Sequence, residues 1–275
     1  MTKERKQELD ALCLKFRNDL IDLLHNIQTG HPGGSLSCCE IVTTLYQEIM
    51  NIDPANPNKK DKDHFILSKG HAAPMLYLNL AERGYFAKEE LKTLRQINSS
   101  LQGHPCVHKT PGVELSTGPL GLGLGAGIGM ALADKYQGIN SYTYVLLGDG
   151  EIQEGAIWEA AMAGSKFKTD NVIAILDNNG VQLDGTLEEI MPMGDIAAKW
   201  TAFGWNVIPC DGHDVASFAE AVEKAKNSKG KPNIIIAKTV KGKGIDFMEG
   251  KNTWHGKAIN DEDYAKAKEI LGGTK

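Results

Sequence analysis

Leu9, Leu12, Cys13, Phe16, Leu20, Leu23, Leu24 and Ile27 recur at helical spacing, so the chain opens with a long amphipathic helix ending at Gly30. Ser35 is positioned to cap a second helix, Leu36 to Met50, and a polar loop containing two prolines runs from Asp53 to Asp63. Phe65 to Ser68 reads as the first buried strand. Helices are expected at about Ala72 to Arg83 and Lys88 to Arg95, followed by a loop rich in Gly, Pro and His that reaches Gly118. Tyr142 to Leu147 and Val172 to Leu176 are short apolar runs closed by polar clusters, and Ile152 to Phe167 between them has helical spacing. Trp205 to Pro209 and Asn233 to Thr239 read as two more strands around a helix, Val215 to Asn227. This alternation predicts an α/β fold: a doubly wound, mostly parallel sheet with helices on both faces. No linker, repeat or low-complexity tract divides the 275 residues, so one domain, residues 1–275, with an amino-terminal helical extension is expected.

The glycines at 121, 123, 125, 127 and 129 alternate with Leu122, Leu124, Ile128 and Met130. Gly121, Gly123 and Ala126 satisfy a loose dinucleotide fingerprint, but no strand precedes them, which rules that reading out. A helix from Leu120 to Leu132 would sacrifice about 1 kcal/mol per glycine relative to alanine. Close packing from several sides, beneath a cofactor or at an interface between chains, would offset that cost.

Charge and cysteine content narrow the function. A formal net charge of −5 with scattered Lys and Arg lacks the footprint of a nucleic-acid binder. Five cysteines form no C-x-x-C or Cys/His zinc pattern and read as reduced thiols in a cytoplasmic chain. No apolar run approaches membrane length, and the charged amino terminus has no signal-type apolar segment behind it.

The strand ends carry the chemistry. In an open α/β sheet ligands bind beyond the strands' carboxyl ends, where both Asp149 and Asn179 fall, 30 positions apart in sequence. Asp149 offers a carboxylate oxygen, Asn179 an amide oxygen, and the Val181 carbonyl can turn inward once Gly180 relaxes the backbone. Three protein oxygens leave room for two diphosphate oxygens and a water in the about six-coordinate shell of Mg²⁺. Either half alone favours an ordinary capped strand-to-helix turn or Asn-Gly turn; the pairing on two strands reverses that balance and predicts a magnesium diphosphate site. Four of the eight histidines, His31, His71, His104 and His255, sit beside glycine in loops, suited to donating, accepting and transferring protons. His25, His64, His108 and His213 are read as capped or solvated loop histidines.

At these residues the chain resembles a known family. Gly148-Asp149-Gly150 with Asn178-Asn179 resembles the thiamine diphosphate motif, and Ile152-Gln153-Glu154-Gly155 beside it resembles transketolase. The likeness covers essentially the whole chain but only the amino-terminal, diphosphate-binding half of a transketolase, with the pyrimidine-binding and carboxyl-terminal domains absent. It implies Mg²⁺, or Ca²⁺ or Mn²⁺ in its stead, on Asp149, Asn179 and Val181, and thiamine diphosphate against His71, Gly118, Leu120, Gly150, Glu154, Asn179, Leu183, Val240 and His255. It implies catalytic roles for His31, His104, His255 and Glu154, the last in a carboxylate network crossing the interface between subunits. Leu122 stands where the family usually has Gln. The segment from Lys241 to His255 is expected to be a mobile active-site loop.

The resemblance further implies two-carbon ketol transfer from a ketose, expected to be phosphorylated, to an aldose, in the pentose phosphate pathway or related carbohydrate metabolism. It implies a carboxyl-terminal partner subunit supplying the carboxylate that activates the aminopyrimidine, in a heterotetramer with two copies of each chain. The competing readings are the α subunit of a 2-oxoacid dehydrogenase, deoxyxylulose phosphate synthase and a non-catalytic orphan subunit.

Overall fold

The structure, a computed structural model, describes residues 1–272. Strands β1 (His64–Leu67), β2 (Thr143–Gly148), β3 (Val172–Asn178), β4 (Asn206–Asp211) and β5 (Asn233–Lys238) form one sheet in the order β1-β2-β3-β5-β4. Every neighbouring pair is parallel. The helices are α1 (Lys3–Ile27), α2 (Pro32–Ser37), α3 (Cys39–Thr44), α4 (Ala73–Arg83), α5 (Gly123–Gln137), α6 (Gly155–Lys166), α7 (Leu187–Ile190), α8 (Ile196–Ala202), α9 (Val215–Asn227) and α10 (Asp261–Ile270).

Both faces of the sheet are covered, which is why its strands read as continuous apolar runs. Phe65, Leu67, Tyr144, Leu146, Ile173, Ile175, Ile235 and Ala237 pack with residues of α1, α3, α4 and α9. The alternate positions, Ile66, Val145, Leu147, Val172, Ala174, Leu176 and Ile234, join α5, α6 and Trp200 of α8. Full burial of each of the Val, Leu, Ile and Phe side chains stabilises by about 1.5–3 kcal/mol. Leu9, Cys13, Phe16, Leu20, Leu23 and Leu24 of α1 belong to the first of these clusters, so the leading helix is part of the core. Its start is capped by Thr2 and its end turns through Gln28 at φ 51°.

Several elements differ from the sequence reading. Ser35 does not cap the second helix: Pro32, preset for the first helical position, starts it four residues earlier, and the Ser35 hydroxyl is buried without a hydrogen-bond partner. The expected helix over Leu36 to Met50 is broken into α2, α3 and a π turn, Leu45–Ile49. Lys88–Thr93 is a 3₁₀ helix, and the glycine helix begins at Gly123, with Leu120 in the preceding turn. A Cβ on Gly127 would come within 2.5 Å of Val145 Cγ2, whereas one on Gly129 would meet nothing within 4 Å. Gly127 is therefore explained by helix-on-sheet packing; Gly129 faces outward. Among the described residues no helix is long and apolar enough to cross a membrane.

Candidate active site

The carboxyl ends of β1, β2, β3 and β5 deliver four loops to one cavity of about 270 Å³. Asp149 leaves β2 buried, with one oxygen accepting from the Gly150 N–H at 2.9 Å and the other from the Gly180 N–H. Gly180, at φ +80°, reverses the chain after β3. The Val181 N–H then reaches Asn179 Oδ1 at 3.1 Å, and the Val181 carbonyl oxygen accepts from Lys241 Nζ at 2.9 Å. Asp149, Asn179 and Val181 line the same cavity.

A buried ion pair lies beneath this group. Lys69, two residues past β1, and Asp177, near the end of β3, are 1% and 0% exposed at their side chains and bonded to each other. Lys69 also donates to the Gly34 carbonyl at 2.9 Å, and Asp177 accepts from Ser37 at 2.6 Å and from Thr239. Burial would raise the Asp177 carboxyl, but Lys69 and the two hydroxyls hold it below its ordinary value. Asp149 is the opposite case: burial, aided by Asp177, pushes it up to about 6 against the Gly180 N–H, Lys69 and Lys241. A buried carboxylate so placed favours a cation, and the neighbouring amide and carbonyl oxygens are ligands of the hard type Mg²⁺ takes. These residues fit such an ion.

Glu151 fixes the other wall. It is buried and accepts from Ser68 Oγ, from the Gly121 N–H at 3.0 Å and from the Gly148 N–H at 3.0 Å, tying the glycine turn to two strand ends. Gly118 and Gly121, at φ +142° and +89°, shape that turn; the would-be Cβ of Gly118 lies 3.3 Å from the His104 ring. Leu120, Gly150, Glu154 and Leu183 line the cavity, with Leu183 57% exposed at its rim.

The histidines converge. The His31 ring centroid lies 5.6 Å from those of His71 and His255 and 6.0 Å from that of His104, and His71 stacks on His255 at 4.8 Å. Burial, reinforced by Arg95, His104 and Lys241, pushes His31 down to about 4. Burial and then Lys241 bring His255 to about 3, while His71 and His104 are lowered chiefly by burial. All four rings are neutral at pH 7. Arg95 Nη2 lies 3.2 Å from His31 Nδ1 and can only donate, so the His31 proton sits on Nε2. Lys241 Nζ, 3.0 Å from His255 Nδ1, assigns His255 likewise when the amine is an ammonium. His31 and His104 adjoin the cavity without lining it, as does Val240.

Sequence reasoning misses Lys69, Asp177 and Glu151 as site members, although each adjoins a motif it uses, and has Lys241 only as the start of an expected active-site loop, with no role of its own. A charge at the end of a strand buried on both faces needs a partner, and that was the available signal. Two histidines read as capped or solvated are neither. His64 bridges Glu114 and Asp134, and His213 bridges Glu40 and the backbone of Val240. Among the described residues, the one group of three metal-capable side chains within ligand reach of each other is Cys13, Cys39 and Glu40. It lies between α1 and α3, and both Glu40 oxygens are taken by Arg17, with His213 on one of them. A larger groove of about 460 Å³ between α1 and α4, floored by Phe16, Leu23 and Leu91, holds no histidine and no buried carboxylate.

A parallel sheet whose strand ends gather a carboxylate, an amide, an inward carbonyl and cationic amines is the arrangement of a diphosphate-binding α/β protein. Residues 11–275 match the family described as transketolase, thiamine diphosphate binding domain, and the chain belongs to it. It is 41% identical over 261 residues to an apulose-4-phosphate transketolase subunit of Phocaeicola vulgatus, covering 95% of this chain and 92% of that one. It is 41% identical to 6-deoxy-6-sulfo-D-fructose transketolase subunit SqwG of Clostridium sp., covering 96% of each. The solved transketolase of Campylobacter jejuni superposes with a TM-score of 0.89 at 34% identity, over 99% of this chain and 43% of that one. The chain thus spans the length of these separate transketolase subunits and less than half of that full-length transketolase.

Proposed function

We propose that this chain is the amino-terminal, diphosphate-binding subunit of a split transketolase, a single domain that transfers a two-carbon ketol unit from a ketose to an aldose together with a carboxyl-terminal partner. The observation that carries this is the meeting of Asp149, Asn179 and the Val181 carbonyl with Lys241, His71 and His255 in one cavity. Its similarity, over nearly the whole length, to separate subunits of transketolases supports the same reading. Asp149, Asn179 and Val181 would hold Mg²⁺, or Ca²⁺ or Mn²⁺ in its stead. Lys241 would leave the Val181 carbonyl to meet the diphosphate, with His71, Gly150 and His255 beside it. Thiamine diphosphate, when bound, supplies the carbanion chemistry.

The chain's own groups do the rest. Leu120 and Leu183, which line the cavity, would keep water from the apolar part of the cofactor, with Gly118 and Val240 adjoining that lining. His31 and His104 face the donor sugar; His31, held as the Nε2–H tautomer by Arg95, donates to a substrate hydroxyl or carbonyl oxygen. Proton movement by positioned histidines is worth about 10²–10⁴-fold. Glu154, exposed at the start of α6, is available to a carboxylate network with the partner.

The competing 2-oxoacid dehydrogenase reading uses the same cofactor, but the four-histidine cluster favours a polyhydroxylated substrate. We assign the functional assembly as a heterotetramer in the cytoplasm, acting on sugar phosphates of the pentose phosphate pathway or related sugars. The test is to assay ketol transfer with saturating Mg²⁺ and thiamine diphosphate, by this chain alone and with its partner, against CO₂ release from 2-oxo acids. Aldose-dependent transfer only on adding the partner is expected; turnover by the chain alone, or CO₂ release in its place, overturns the reading.

A further inference from the structure

Lys241 owes its position to a buried charge cluster on the far side of its own loop. Arg17 of α1 and Glu40 of α3 are 7% and 5% exposed and paired through both terminal guanidinium nitrogens, at 2.6 and 2.9 Å. Each grips the loop after β5 at a different point. Arg17 Nε donates to the Lys243 carbonyl at 3.0 Å. Glu40 acts through His213, in the turn after β4: Oε2 lies 3.0 Å from His213 Nδ1, and His213 Nε2 accepts the Val240 N–H at 2.8 Å. Because the backbone N–H can only donate, the His213 proton sits on Nδ1 and is given to Glu40.

Val240 and Lys243, flanking Lys241, are therefore fastened to α1, α3 and the turn after β4, elements that contribute no lining residue to the cavity. The Lys241 carbonyl accepts from Gly250 at 2.9 Å and the Gly242 N–H donates to the Gly33 carbonyl at 3.0 Å, so the backbone here is fixed while the amine reaches into the cavity toward Val181 and His255. Gly244, at φ +93°, has no room for a Cβ, which would lie 2.9 Å from Arg17 Cδ. Burial would raise the Glu40 carboxyl, yet His213 and Arg17 hold it below its ordinary value, so the carboxylate stays ionised.

We infer that Arg17, Glu40 and His213 form a brace that positions Lys241, so that α1 and the turn after β4 set the strength with which the site grips a diphosphate. His213 and Glu40 are positioning residues: they touch neither cation nor anion and act through the loop. The inference rests on the diphosphate reading of the cavity for its effect on binding, while the brace itself can be observed without any ligand.

The experiment uses the full chain and titrates pyrophosphate with excess Mg²⁺, by calorimetry, into wild type, His213→Ala, Lys241→Met and the double variant. His213→Ala should weaken binding about tenfold, one lost charge-assisted contact's worth. In the Lys241→Met background the same change should matter little, since the group it positions is gone. His213→Gln, which offers an oxygen to Val240 and an N–H to Glu40, should recover most of the loss. Equal effects in both backgrounds would assign His213 a general structural role and overturn the inference. Should wild type bind no pyrophosphate, the diphosphate reading falls, and amide exchange decides on the brace alone. Exchange at Val240 and its loop must then accelerate in His213→Ala and in Glu40→Gln, the milder variant; unchanged exchange overturns it.

Discussion

Lys241 Nζ lies 2.9 Å from the carbonyl oxygen of Val181, the oxygen that completes the candidate cation site. An ammonium therefore sits against a ligand atom, and burial together with Lys69 pushes Lys241 down to about 8. The two buried cations, Lys69 and Lys241, share one neighbourhood, but only Lys69 has a carboxylate of its own. Lys241 is thus the amine free to change partner when an anion arrives. Lys241→Met should weaken Mg²⁺-pyrophosphate binding about 10–100-fold, as expected for a charge-assisted hydrogen bond of about 1.5–3 kcal/mol. Calorimetry checks this, and undiminished affinity would remove Lys241 from the diphosphate site.

Asp149→Asn keeps an oxygen for the Gly150 or Gly180 N–H but removes the one charged candidate ligand. Metal affinity should drop by more than about 100-fold, beyond the usual loss for an outer partner of a metal site. Thiamine diphosphate titrated at fixed Mn²⁺, read through the ion's paramagnetic effect on water relaxation, separates metal loss from cofactor loss. Wild-type metal affinity in the variant would refute the assignment.

Lys69 and Asp177 make a separate prediction about stability. Removing one partner of a buried pair leaves a stranded charge and costs about 3–5 kcal/mol, so Lys69→Met should lower the denaturant midpoint substantially. The paired change Lys69→Met with Asp177→Leu should recover much of that loss. A double variant no more stable than Lys69→Met would mean that the other bonds of these residues, to Gly34, Ser37 and Thr239, dominate.

What the sequence made legible follows from the range of each signal. The βαβ unit from β2 to β3 could be read because its periodicities are local, and Asp149 and Asn179 follow once strand ends are known to converge. Lys69 and Asp177 are 108 positions apart, and Arg17 and Lys243 are 226 apart, so no local pattern announces either contact. The break of the second helix was hidden for another reason. Ser35 has capping chemistry, but Pro32 lies upstream with a stronger claim on the helix start, and the cost of burying the Ser35 hydroxyl is invisible before packing is known.

His64 gives a pH dependence whose sign can be worked out. Burial alone would lower it, but the hydrogen bond and charge of Glu114, with Asp134 on the other ring nitrogen, raise it above its ordinary value. A raised folded-state value means that protonation favours the folded chain. The contribution is complete below an unfolded-state value of about 6.5 and is lost as pH rises through the higher folded-state value. Melting temperature followed from pH 6 upward should therefore fall more steeply for wild type than for His64→Gln, with the two curves converging at high pH. Parallel curves would show that His64 does not titrate in this window.

Gly127 and Gly129 stand two residues apart on α5 and should respond in opposite ways. Alanine at 127 would drive its Cβ to 2.5 Å from Val145 and 3.3 Å from Ile66, and overpacking of this kind costs about 1–3 kcal/mol. Alanine at 129 meets nothing within 4 Å and should stabilise the isolated chain by up to about 1 kcal/mol through helix propensity. Among the described residues nothing therefore requires glycine at 129. Around it the outer faces of α5 and α6 expose Leu122, Tyr136, Met162 and Phe167. If this face lies in the contact with the partner that the proposed function requires, a larger residue at 129 harms assembly alone. Gly129→Trp should leave the denaturation curve of the isolated chain close to wild type while reducing association with the partner, measured by sedimentation velocity, and with it ketol transfer. Undiminished association would move the contact off α5 and leave Gly129 unexplained.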